Sequence, residues 1–187
     1  MADGILDERG KALEEIFFAK EGEKLRTALL VKEEAKNRKE SLAGASGITD
    51  DAVLEQLIAL DINSDTLAAL SLVPLLEVAW ADGTMDDNER SAILSAAEDS
   101  GLSAESTALL DGWLVIQPST EVVSAWKDYV SALTSTMDAA ARDKLKQELL
   151  SRARTVAESA GGFLGIGKIS SEEEAKLEEL ANAFSKV

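Results

Sequence analysis

The chain contains no cysteine and no histidine, only two prolines, and few aromatic residues, 4% of its 187 positions. Without Cys or His there is no disulfide, no zinc site of the usual kind, no Ser-His-Asp or Cys-His nucleophile and no common haem or iron-sulfur ligation. The scarcity of proline and aromatics favours helices over sheets. What is present suffices for a core. An apolar fraction of 45% with a mean hydropathy of −0.04 suits a globular chain of one domain or two small ones, at roughly 100 to 200 residues per domain. Abundant carboxylates leave calcium and magnesium open as ligands.

Positive charge is scarce in one region. Residues 50–121 hold 15 acidic side chains and a single base, Arg90, whereas residues 1–49 and 122–187 each hold 10 acids and 9 bases; the net charge of −16 is therefore regional. Such a field repels phosphate backbones and anionic lipid headgroups and attracts divalent cations or a basic protein face. Nucleic acid is not an expected partner. The same acids would also keep a protein dispersed in water with no ligand at all. The opening "MADGILDERG" is too polar for a signal peptide, and no apolar run approaches the roughly 20 residues that cross a bilayer. The expectation is a cytoplasmic chain without membrane insertion, and the lack of cysteine fits a reducing compartment.

Apolar residues recur at helical spacing almost throughout. Leu13, Ile16, Phe17, Phe18, Leu25, Leu29 and Leu30 mark one long helix or two between Leu6 and about Leu42, ended by "AGASG". Thr49 is placed to cap a short helix bearing Val53, Leu54, Leu57 and Ile58, and Ser64 to cap the next. That next segment, 65–81, carries one charge after Leu67, Glu77. It should run through the centre of the fold, kinked at Pro74, which lacks an N–H and crowds the carbonyl of Leu70. Further helices are expected near 87–99, 104–116, 120–134, 139–159 and 172–184. The prediction is an all-α bundle of about eight helices: residues 1–46 form an N-terminal amphipathic helical segment and 47–187 a helical domain.

The most specific local feature is "WADGTMDDNERSAILSAAEDSGL", Trp80 to Leu102, which joins two helices through a tight acidic turn. Gly83 can take a positive φ, while Asp86 and Glu89 are spaced as a carboxylate version of the capping box. Structure alone can explain these acids, because Asp82 can bond nearby amides and a helix N-terminus favours negative charge by roughly 0.3–1 kcal/mol each.

An apolar helix, then Ala81-Asp82-Gly83, then Met85 and Glu89 opening the next helix, resembles the tellurite-resistance TerB-like family. The resemblance covers about residues 65–187. It implies an all-helical fold with repeated helix-turn-helix halves, found alone or attached to modules such as a membrane-anchored J-domain co-chaperone, and a stress-response setting without a defined molecular activity. A second, degenerate half aligns Gly167 with Gly83, Ile169 with Met85 and Glu173 with Glu89. There Gly161 and Gly162 stand where Ala-Asp is expected and "FLGIG" is extra. The glycines around Phe163, Leu164 and Ile166 either cap a helix with the loop folded on the core or form an apolar hook for a partner. They do not form a phosphate loop, since the Lys is not followed by Ser or Thr and no strand precedes it. The stretch "ALEEIFFAKEGEKLRTAL" weakly resembles the helix of small ATP-synthase inhibitor proteins, as many charged amphipathic helices do.

These readings imply a non-enzymatic acidic binding or scaffold module that recognises a basic protein surface, and the N-terminal helix offers a surface for homodimerisation. A second reading makes Asp82, Asp86, Asp87 and Glu89 a weak calcium or magnesium site with regulatory use. The turn is shorter than the roughly 12-residue EF-hand loop and lacks its alternating ligands. A third reading, a magnesium-dependent hydrolase, would need acids recurring on facing helices, where the sequence places apolar residues. No catalytic residue and no other cofactor is expected.

Overall fold

The computed structural model describes the backbone of residues 2–160 and 169–184 and the side chains of 20–159 and 169–184. Among the described residues there are eight α-helices, one 3₁₀ turn and no strand. In chain order they are α1 (Ala2–Ser46), α2 (Asp51–Ala59), the 3₁₀ turn Leu67–Leu72, α3 (Val73–Ala79), α4 (Asp87–Asp99), α5 (Ala104–Val115), α6 (Thr120–Ser135), α7 (Ala139–Ala160) and α8 (Ser171–Asn182). From Asp87 onward each helix begins and ends within about two residues of the sequence expectation, because caps are local signals.

The chain divides into two compact units, residues 1–40 and 41–187. The first is helix. Its side chains Leu25, Leu29, Leu30 and Val31 are exposed. At about 100° per residue Leu25 and Leu29 share one side while Leu30 and Val31 fall on others, so this stretch carries apolar groups around the helix rather than along one stripe. The boundary falls before residue 46 for a physical reason. Leu42 and Ser46, in the last turns of α1, are buried in the core of the second unit.

In the second unit two local expectations are corrected. Asp50, not Thr49, caps α2: its Oδ1 accepts from the amides of Ala52 and Val53 at 2.9 and 3.2 Å. The segment 65–81 is not one kinked helix. Asn63, rather than Ser64, organises its start by accepting from the amides of Asp65 and Thr66 at 2.8 and 3.1 Å. A 3₁₀ turn follows, and Pro74 then stands in the first turn of α3. There its missing N–H costs nothing, and the carbonyl of Leu70 is taken by the N–H of Val73. Pro74 begins a helix instead of bending one.

The expected centrality of this segment holds. Every residue of α3 is buried, and the helix packs against α4, α6, α7, α8 and the 3₁₀ turn. Leu72, Leu75 and Leu76 are fully buried beside Leu110, Trp126 and Leu180, each such side chain contributing roughly 1.5–3 kcal/mol of transfer free energy. Trp126 meets Phe184 edge-on at 6.4 Å between ring centres. Glu77 is the one charge in α3. Lys176 of α8 reaches it at 3.1 Å and also holds Glu179 at 2.9 Å, which in turn holds Lys127 of α6 at 2.6 Å.

Candidate functional site

The acidic turn is held by the ends of three helices. The N–H of Trp80 closes α3 on the carbonyl of Leu76 at 2.9 Å, and the amide of Gly83 returns to the carbonyl of Trp80 at 2.9 Å with φ at +87°, a conformation that favours glycine. Asp82 then folds over its own chain, Oδ1 accepting from the amide and hydroxyl of Thr84, both at 2.9 Å. The capping box expected at α4 is present. Asp86 Oδ1 accepts from the amides of Asn88 and Glu89 at 2.8 Å each, and Glu89 Oε2 accepts from the amide of Asp86 at 2.9 Å. Asp82, Asp86 and Asp87 are exposed, whereas Glu89 is buried.

Two side chains fasten this turn to the end of α5. The indole N–H of Trp80 donates to the carbonyl of Trp113 at 3.1 Å, and Arg90 Nη2 donates to the carbonyl of Leu114 at 2.6 Å. Both carbonyls lie in the last turn of α5, where the helix leaves them without internal partners and where a cation is favoured by the helix dipole. Immediately beyond, Val115 and Ile116 are 69% and 73% exposed. An exposed apolar pair therefore follows the carbonyls that fasten the turn.

Burial, the largest cause, pushes the Glu89 carboxyl up to about 7; the bond from the amide of Asp86 opposes this, and the negative charges of Asp86, Glu173 and Asp82 add to the rise. The influence of Glu173 places the second capping box within electrostatic reach of the first. At the start of α8 the hydroxyl of Ser170 accepts from the amide of Glu173 at 3.1 Å and Glu173 Oε2 accepts from the amide of Ser170 at 2.6 Å. Both capping boxes thus carry a buried Glu at the third helical position.

The four acids read as ion ligands share one turn without converging: among the described residues no group of three or more carboxylates is placed to hold a metal ion. Asp82, Asp86 and Glu89 are each committed to backbone amides, and turning one outward would release a cap worth about 1 kcal/mol. Phe163, Leu164 and Ile166, with Gly161, Gly162 and Gly167, lie outside the described residues. Sequence reasoning missed the attachment of Trp80 and Arg90 to α5 and the proximity of Glu89 to Glu173. The one available signal was Arg90 standing as the single base of 50–121. No family model, curated protein or solved structure matches the chain.

Proposed function

We propose that the chain is a non-enzymatic binding module of the TerB-like kind, whose acidic turn recognises a basic protein surface. One observation carries this reading. In a stretch with 15 acids and one base, that base is spent on the carbonyl of Leu114 and pairs with no carboxylate among the described residues, so Asp82, Asp86 and Asp87 face solvent without a local countercharge. A one-signed exposed field steers and orients an oppositely charged partner, and the neighbouring Val115 and Ile116 offer the apolar contact that charge alone does not give. The ion reading is weaker because oxygens offered to an ion would be withdrawn from amides they already satisfy.

The test is a low-salt pull-down with the full chain, comparing Asp82→Asn/Asp86→Ser/Asp87→Asn with Asp143→Asn/Glu158→Gln/Glu178→Gln, which removes equal charge from exposed positions elsewhere. The turn variant is expected to lose its protein partners while the control keeps them. Equal loss from both would reduce the effect to bulk charge and refute a recognition site at the turn.

A further inference from the structure

Between the 3₁₀ turn, α6 and α7 lies a cavity of about 370 Å³, within the usual range of small-molecule sites. Its apolar walls are Leu67, Trp126, Val130, Leu133, Leu145 and Leu149. It exists because one wall is thin. Ala68 and Ser71 stand three residues apart on the 3₁₀ turn, where side chains at that spacing eclipse, so two small groups stack at the rim opposite the long side chains of α6 and α7. Trp126, Val130 and Leu133 follow one face of α6, and Leu145 and Leu149 one face of α7, leaving several aliphatic groups only half-buried.

The lining identifies the occupant's chemistry. Although 29% of the chain is charged, no ionised side chain among the described residues lines this cavity. A charged ligand would lose water with nothing to replace it. Of the three hydroxyls present, Ser71 already donates to the carbonyl of Ala68 at 2.7 Å and Ser64 accepts from Ser41 at 3.1 Å, whereas the Tyr129 phenol has no hydrogen-bond partner among the described residues. A phenol is protonated at neutral pH and burial raises the pKa of this one further, so it is a standing donor. With roughly 30 Å³ for each small group, the space holds about a dozen non-hydrogen atoms.

We propose that this cavity binds an uncharged, mainly aliphatic molecule of about a dozen non-hydrogen atoms bearing one oxygen, to which Tyr129 donates a hydrogen bond. The site is separate from the acidic turn and independent of the partner reading. The probe is n-decanol, with decanoate as its anionic counterpart, titrated into the full chain and followed by leucine methyl resonances and Trp fluorescence. Decanol should shift the methyls of Leu133, Leu145 and Leu149 and bind about tenfold or more tightly than decanoate. Tyr129→Phe should weaken it about three- to tenfold, and Ala68→Trp should abolish it with helix content retained. Should Ala68→Trp fail to fold, Ser71→Trp fills the same rim. Unmoved methyls up to the solubility limit of decanol, equal binding of decanoate, or undiminished binding by a folded rim variant would each overturn the proposal.

Discussion

The helices α4 and α8 begin with one device made from different residues. In both, a side-chain oxygen at the N-cap accepts the amide three residues on, and a buried Glu there bonds back to the N-cap amide. At α8 the cap is the neutral Ser170, with Glu172 and Glu174 in the first turn and Glu174 paired to Arg154 at 2.9 Å; at α4 the cap is itself an acid, Asp86, beside Asp82 and Asp87. The helices differ in countercharge as well. α8 delivers Lys176 to the buried carboxylate of α3, while Glu89 of α4 receives an amide and, among the described residues, the negative charges of Asp86, Glu173 and Asp82. Since serine closes the same box at α8, the charge on Asp86 exceeds what capping requires. That surplus is the physical ground for reading the first turn, and not the second, as a recognition surface.

The sharpest break in the comparison is to remove the cation that α8 supplies. Lys176→Met strands Glu77, whose side chain is 5% exposed, and should cost about 3 kcal/mol, the lower end of the range for an orphaned buried charge because Lys176 itself is partly in water. Chemical denaturation checks it. The double variant Glu77→Leu/Lys176→Met should recover most of the loss; if it does not, packing rather than charge pairing explains the cost.

Next in size is the cap itself. Asp86→Ala deletes the acceptor for two amides and should cost about 1–2 kcal/mol, whereas Asp86→Ser, copying α8, should cost less than about 0.5 kcal/mol. Thermal melts of the two variants decide whether the negative charge matters to the helix. A serine variant as unstable as the alanine one would show that it does, and would remove the surplus on which the recognition reading rests.

How much of this was legible in sequence depended on range. The boxes Asp86/Glu89 and Ser170/Glu173 were readable because a cap is decided within four residues. The choice between the adjacent acceptors Thr49 and Asp50 was not, since spacing alone does not separate neighbours. The 3₁₀ turn was hidden because 67–76 is almost uniformly apolar and has no polar face to reveal its period, so Pro74 read as a kink in a helix that starts at Val73. Proximity of Glu89 to Glu173 depends on how α3 and α4 meet α7 and α8, a non-local fact. The cavity was invisible for a related reason: Trp126, Val130 and Leu133 make the same helical stripe whether the opposite wall is full or, as at Ala68 and Ser71, thin.

The smallest expected effect is a direct test of the first start, through the Glu89 carboxyl that burial raises toward neutrality. Glu89 has an ordinary value of 4.5 and about 7 when folded, so between these the native state holds more proton than the unfolded chain. By linkage its contribution to stability is full below the unfolded value and is lost as pH rises through the folded one. Glu179, whose carboxyl is held low by Lys127 and Lys176, acts oppositely, its contribution fading only as the medium becomes acidic. With no histidine in the chain, no other side chain ordinarily titrates between pH 5 and 8. Unfolding free energy should therefore fall by about 1 kcal/mol across that interval, less than the full shift would give because the turn is open to solvent. Glu89→Gln keeps a carbonyl for the amide of Asp86 and should flatten the profile; Asp86→Ser, by removing one neighbouring charge, should reduce the slope without abolishing it. A flat wild-type profile, or a slope that survives Glu89→Gln, would mean that burial at the start of α4 does not hold a proton on Glu89.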